Sequence, residues 1–163
     1  MPLRMTVGRR ILVDAGHPAS GYERGIMAIL NPYISFRDNA REALEHYHHV
    51  LGGELQIMTF GSMPELPQAP SESELVLHGQ LTTDDGLILM ASDTPAHMDY
   101  QAPQGISVSV SGTEVDRLRA IWDGLLDGGT VTAPLGAAPW GGDFGMLVDR
   151  FGVGWMMSID TAP

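Results

Sequence analysis

Apolar residues recur with the spacing of an α-helix in two stretches of the chain. The first spans 40–51 and the second 115–126, and both repeat apolar residues at intervals of three and four. That spacing puts the apolar side chains on one face of a helix. Gly52 and Gly128 follow these stretches and suit the left-handed residue that ends many helices. We therefore predict two amphipathic helices.

Both predicted helices have candidate side-chain caps at their starts. Asp38 or Asn39 precedes the first helix, while Ser111 and Glu114 form a capping-box pattern before the second. Such side chains can accept hydrogen bonds from the first N–H groups of a helix. We expect each helix to begin at its local cap.

Short segments typical of β-strands surround both helices. One lies before each helix, at 33–36 and 106–110, and a Gly-Gly pair followed by another such segment comes after each helix. Each half then ends in a similar strand, at 86–93 and 154–160. The order repeats with a period of about 70 residues, which suits two fused β-α-β-β-β modules rather than a solenoid.

The repeat defines the expected architecture. We predict an α+β fold in which modules at about 29–93 and 104–160 form a cupped mixed sheet, with the helices on its outer face. Residues 1–26 show little apolar periodicity and are predicted to be a poorly ordered extension, followed by one domain at 27–163. No apolar run approaches the roughly 18 residues of a membrane span.

Charge and cysteine content exclude several classes of function. The chain of 163 residues has a net charge of −11, and residues 27–163 alone carry −13, from five Arg and 18 acidic residues. Such acidity argues against nucleic acid and against anionic membrane surfaces. The absence of Cys excludes disulfides and thiolate chemistry. We expect a cytoplasmic protein with neither nucleic acid nor membrane as a partner.

The C-terminal run from Trp140 to Met156, WGGDFGMLVDRFGVGWM, closely resembles the PhnB-like branch of the vicinal oxygen chelate superfamily. That superfamily includes glyoxalase I, extradiol dioxygenases and bleomycin-resistance proteins. The segments 31–36 and 39–47, with the Gly-Gly pair after them, are similar too. The resemblance covers roughly 27–160 and implies a homodimer. The branch often carries a ubiquinone-methyltransferase label, but the Gly-rich strand-to-helix loop of a nucleotide-binding sheet is missing from this sequence.

The resemblance also implies four positions for a divalent metal, held by His and Glu in catalytic members. Those positions fall near Asn31, Met90, Gly105 and Met156. Thioethers and glycine do not make the oxygen- and nitrogen-rich site that such ions need. We therefore expect the usual metal site to be missing and predict no divalent metal cofactor.

Strand alternation and the resemblance together suggest a pocket with hydroxyl, thioether and aromatic side chains. The predicted ligand-binding residues are Tyr33, Ser35, His78, Met90, Ser107, Trp140 and Met156. His78 is the candidate catalytic group, as a base or hydrogen-bond donor, although an ordinary strand histidine remains the alternative. Trp140 could stack on a planar ligand or could anchor its loop.

Three histidines cluster on the first predicted helix, at His46, His48 and His49. Their spacing could chelate a metal, but they lie off the apolar stripe, and we favour a solvated polar face. Three functional hypotheses follow. The first is a metal-free protein that binds a small organic molecule. The second is a lyase, isomerase or dioxygenase with a rearranged site around His78, and the third is a dimeric interaction module without a small ligand.

Overall fold

The computed structural model describes residues 29–66 and 69–160 and contains two similar modules. The first module consists of β1 (Tyr33–Phe36), α1 (Ala40–Leu51), β2 (Glu54–Thr59), β3 (Val76–Thr82) and β4 (Ile88–Asp93), with single 3-10 turns at Phe60–Ser62 and Pro70–Glu72. The second module consists of β5 (Ser107–Gly112), α2 (Val115–Leu126), β6 (Thr130–Ala137), β7 (Asp143–Val148) and β8 (Gly154–Ile159). The predicted extension at 1–26 lies outside the described residues.

Each module forms a four-stranded mixed sheet. The strand orders are β1-β4-β3-β2 and β5-β8-β7-β6, so β1 and β5 are both edge strands. The pairs β1/β4 and β5/β8 are parallel, and the other pairs are antiparallel. This confirms the predicted α+β fold of two β-α-β-β-β modules, with the mixed sheet resolved as two sheets of four strands.

One face of each sheet packs on a helix, and we call the opposite face the open face. In β1, Ile34 and Phe36 are buried against the helices, whereas Tyr33 and Ser35 are exposed. The predicted apolar stripe of α1 is confirmed by its buried residues, Ala40, Ala43, Leu44 and Tyr47. In α2 the buried residues are Leu118, Ile121, Trp122 and Leu125. Val115, the first residue of α2, is 45% exposed.

The predicted local caps are wrong for both helices. Asn39 precedes α1, but its side chain makes no capping hydrogen bond. The buried Asp93 carboxylate caps α1 instead, since it accepts hydrogen bonds from the N–H groups of Ala40 (2.9 Å) and Val76 (2.8 Å). Glu114 precedes α2 without a side-chain cap, and Ser111 belongs to β5. The cap of α1 is thus supplied by the last residue of β4, in the same module.

The helix of each module contacts the last β-turn of the other module. On one side, the Tyr47 hydroxyl of α1 donates a 2.6 Å hydrogen bond to Asp149, in the β7–β8 turn. On the other side, Arg117 of α2 forms an ion pair with Asp85, in the β3–β4 turn. Residues of both modules share one hydrophobic core. These contacts set the placement of β1 relative to β5.

Neither helix has the length and apolar character that crossing a membrane requires.

Candidate ligand-binding site

The edge strands β1 and β5 border a cavity of about 290 Å³ between the two modules. It is lined by Pro32, Tyr33, Ile34, Ser35, Gln101, Pro103, Gln104, Ile106, Ser107, Val108 and Val153. All of these described residues are uncharged. Their mixture of aliphatic surface with hydroxyl and amide groups is typical of pockets that bind small organic molecules.

Three of the predicted ligand-binding residues meet in this cavity. Tyr33 and Ser35 alternate with buried residues along β1, and Ser107 begins β5. The Tyr33 side chain is 50% exposed, so its hydroxyl and ring are accessible to a molecule in the cavity. The structure therefore brings Ser107 of the second module into one cavity with Tyr33 of the first, although the two residues are 74 positions apart in the sequence.

His78 lies beside the cavity through its contact with Tyr33. The Tyr33 hydroxyl is 3.3 Å from His78 Nδ1, and the two rings stack with centroids 5.8 Å apart. Strict alternation would put Val76 on the same face as His78, but Val76 is fully buried. Val76 and His78 lie on different faces because the pairing register of β2 and β3 shifts between Met58 and Thr59, as at a β-bulge.

The other three predicted ligand-binding residues are not part of the cavity lining. Met90 is directly opposite Tyr33 in the β1/β4 pair and so adjoins the cavity. Met156 is opposite Ser109 on the open face of the second sheet. Trp140 is 71% exposed and packs edge-on against Phe144, with ring centroids 5.5 Å apart. Among the residues described, Met156 and Trp140 are outside the cavity between the modules.

Two amide side chains of the lining were missed at the level of sequence. Gln101 and Gln104 lie in the connection between β4 and β5 and reach the cavity. The Pro103 between them indicates a loop, but nothing in the pattern tells which way the loop folds. A second cavity of about 340 Å³ adjoins the first and shares Pro32 and Val108 with it. The space between the modules is therefore extended.

The family-like C-terminal run builds a buried carboxylate centre. Asp149 Oδ1 accepts hydrogen bonds from the N–H groups of Phe151 and Val153, both at 2.9 Å. Its Oδ2 accepts from the Tyr47 hydroxyl and from Trp155 Nε1, at 2.6 and 2.8 Å. Burial and the neighbouring carboxylate raise the pKa of Tyr47 well above its ordinary value. Asp149 therefore has a structural role, which sequence reasoning missed.

The residues at the implied metal positions do not fit a hard divalent ion. Met90 and Met156 offer thioethers, Gly105 offers no side chain and Asn31 offers only an amide. Nowhere in residues 29–66 and 69–160 do three His, Asp or Glu side chains come together as a metal site would require. We assign no step of any reaction to a metal ion.

The fold agrees with what comparison with known proteins finds. A family model described as 3-demethylubiquinone-9 3-methyltransferase matches residues 28–158. Protein YjdN of Escherichia coli strain K12 is 26% identical over 140 residues, covering 80% of this chain and 94% of that protein. The names of these relatives do not establish a reaction for this chain.

Two solved structures are similar over most of the chain. Protein PA1353 from Pseudomonas aeruginosa is 33% identical with a TM-score of 0.74, covering 83% of this chain and all of that one. A PhnB protein from Bacillus cereus, described as a 3-demethylubiquinone-9 3-methyltransferase, is 20% identical with a TM-score of 0.62. The match covers 80% of this chain and 98% of that one, and at this identity it shows the fold alone.

The two mixed sheets also differ from the doubly wound parallel sheet of a nucleotide-binding methyltransferase. The methyltransferase name of the family is thus not reflected in the architecture. The fold is shared by solved structures described as a PhnB protein and as members of the glyoxalase/bleomycin resistance protein/dioxygenase superfamily. The chain belongs to the family whose model is described as 3-demethylubiquinone-9 3-methyltransferase.

Proposed function

We propose that this protein binds an uncharged small organic molecule in the cavity between β1 and β5, without the usual metal site of its superfamily. The observation that carries the proposal is the lining itself, which combines aliphatic side chains with the Tyr33 hydroxyl, two serine hydroxyls and two glutamine amides. A neutral ligand loses little on leaving water if these groups replace its hydrogen bonds.

The charge of the protein supports the same class of ligand. The chain carries a net charge of −11, and no cation lines the described part of the cavity. An anionic ligand would lose its hydration without gaining a counter-ion and would also meet the negative field of the protein. A neutral ligand avoids both costs. Nicotinamide and its carboxylate analogue nicotinate are a matched pair of probes for this preference.

A panel of neutral heteroaromatic amides, with nicotinate as the anionic comparison, tests the proposal by thermal shift. We expect neutral members to raise the melting temperature, because a ligand that binds only the folded state stabilises it by mass action. Ser107→Leu should fill the cavity and weaken binding by at least about tenfold, equivalent to ~1.4 kcal/mol. Ser111→Leu, on the same strand and face but outside this cavity, is the matched control.

Two outcomes would contradict the proposal. Equal binding to wild type and Ser107→Leu would place the ligand elsewhere. No stabilisation by any panel member, with a folded protein, would favour the alternative of an interaction module without a small ligand.

The contact between Tyr33 and His78 favours a second candidate, an enzyme that uses His78 as a general base or acid. A hydroxyl 3.3 Å from Nδ1 orients the ring, and general acid–base catalysis needs such positioning. If a bound ligand is also converted, His78→Gln should abolish turnover and leave binding nearly intact. Product formation is followed by mass spectrometry of the ligand after incubation, and unchanged turnover would exclude the role.

We also propose that two copies of the chain associate. Large apolar side chains are exposed on the open faces and next to them, including Met58 of β2 at 42% and Trp140 of the β6–β7 turn at 71%. A second copy that covered these faces would enclose the predicted ligand-binding residues that lie apart from the cavity, Met156 and Trp140. Twofold pairing is the commonest assembly of soluble proteins. Light scattering during size-exclusion chromatography should give twice the chain mass of 17.6 kDa, and Trp140→Glu should shift it toward one chain.

A further inference from the structure

The first of the three clustered histidines is half-buried rather than fully solvated. His46 lies where α1 meets the β7–β8 turn, with its ring centroid 5.6 Å from that of Phe151 and 6.0 Å from that of Tyr47. Its Nε2 is buried and has no hydrogen-bond partner among the described residues. The expectation of a solvated polar face therefore holds only in part for His46, which the second module half covers.

The other ring nitrogen of His46, Nδ1, contacts a residue of the second module. Arg150 Nη2 is 3.0 Å from His46 Nδ1. Because a guanidinium can only donate, Nδ1 must carry the lone pair, and the ring must be neutral with its proton on Nε2. Protonation of Nδ1 would set one donor against another and place two positive charges at the distance of a hydrogen bond.

The groups that face His46 come from three elements. Arg150 and Asp149 lie on the β7–β8 turn, Asp127 follows α2, and Tyr47 neighbours His46 on α1. Arg150 also reaches Asp127 at 3.4 Å, and Asp149 is saturated by its four donors. The Gly124 carbonyl on α2 favours the protonated ring but does not meet hydrogen-bond geometry with Nε2.

We propose that His46 and Arg150 form a pH-sensitive contact that holds the two modules together only while His46 is neutral. At neutral pH, Arg150 bridges from the second module to α1. As the pH falls, protonated His46 repels Arg150, which keeps its partner Asp127, and the modules are held less firmly. The proposal does not depend on the identity of the ligand.

The direction in which stability changes with pH follows from the pKa of His46. Burial first, and Arg150 second, lower the pKa of His46 below its ordinary value of 6.5, while Asp149 and Asp127 oppose the shift. The unfolded chain therefore binds a proton at a higher pH than the folded chain does. The stability that His46 contributes is complete well above pH 6.5 and is lost as the pH falls from that value through the lowered folded pKa.

Urea unfolding of the full chain between pH 8 and pH 5 tests the proposal. The wild-type midpoint should fall across this range, and most of that fall should disappear in His46→Phe, which keeps the aromatic contacts but cannot titrate. His49→Gln, an exposed position on the same helix, should keep the wild-type slope. An unchanged slope in His46→Phe would overturn the proposal.

An NMR titration of the His46 ring gives a second readout that tolerates a weakly folded variant. Arg150→Gln keeps a polar side chain at this position, but the like charge is gone. The pKa of His46 should therefore rise toward its ordinary value, and the pH dependence of unfolding should become shallower. A pKa of His46 that is the same in wild type and Arg150→Gln would exclude Arg150 as the sensing partner.

Discussion

The β7–β8 turn and the cavity between β1 and β5 both lie where the two modules meet, and they are built from opposite chemistry. The turn centres on the buried Asp149 carboxylate, whose oxygens accept four hydrogen bonds from backbone and side-chain donors. The cavity is lined by uncharged residues only, within the part of the chain that is described. A buried charge with many partners fixes geometry, whereas an uncharged lining leaves hydrogen-bonding groups for a ligand. The turn thus joins the modules through satisfied polar contacts, and the cavity is where we propose that a ligand binds.

The largest expected effect comes from removing the buried carboxylate. Asp149→Ala leaves the Tyr47 hydroxyl and the Trp155 indole N–H buried without an acceptor, along with two backbone N–H groups. We expect the free energy of unfolding to fall by about 4 kcal/mol or more, since four donors lose their acceptor and each unsatisfied buried donor costs roughly 1–3 kcal/mol. Urea unfolding measures it. Glu45→Ala, exposed on α1, is the control, and a similar small loss in both variants would refute the structural role.

A smaller effect is expected from removing the Tyr47 hydroxyl, which donates one of the four hydrogen bonds to Asp149. Tyr47→Phe keeps the ring in the core and removes only the hydroxyl, so that Asp149 retains three donors. A hydrogen bond to a charged group contributes about 1.5–3 kcal/mol, and we expect a loss in that range in urea unfolding. A loss as large as that of Asp149→Ala would mean that the hydroxyl, rather than the carboxylate, organises the turn.

The smallest effect is expected at the other contact between a helix and a turn. Arg117 and Asp85 form an ion pair on the surface, which lowers the pKa of Asp85 chiefly through its hydrogen bond to Arg117. Exposed pairs are screened by water and salt. Arg117→Ala should therefore shift the urea midpoint less than Tyr47→Phe does, and high salt should remove the difference from wild type. Arg41→Ala, exposed on α1, controls for the loss of a positive charge, and a salt-independent loss would contradict this interpretation.

The fold could be predicted from the sequence because the patterns that indicate it involve neighbouring residues and occur twice along the chain. The helical stripe that ends at Leu51, the glycine stops and the recurrence of the module pattern each depend on neighbouring residues, and the structure confirms them. What could not be predicted depends on contacts between distant residues. The cap of α1 comes from Asp93, and His46 is partly covered by a turn about a hundred positions further along the chain.

The site was predictable only in part for the same reason. Alternation placed Tyr33 and Ser35 on the open face, and the repeat brought in Ser107 from the second module. The glutamines of the connection between β4 and β5 were missed, because loop direction has no periodic signal. The predicted contributions of Met156 and Trp140 to binding remain predictions, which depend on what covers the open face of the second sheet.

The central claim is that the cavity binds its ligand without a metal ion. Isothermal titration calorimetry with the neutral amide that gives the strongest thermal shift tests it directly, on full-length protein before and after dialysis against EDTA, with the metal content measured by mass spectrometry. We predict the same Kd in both samples, weakened by Ser107→Leu and unchanged by Ser111→Leu. A loss of affinity of about tenfold after dialysis, restored by Mn²⁺ or Zn²⁺, would contradict the account.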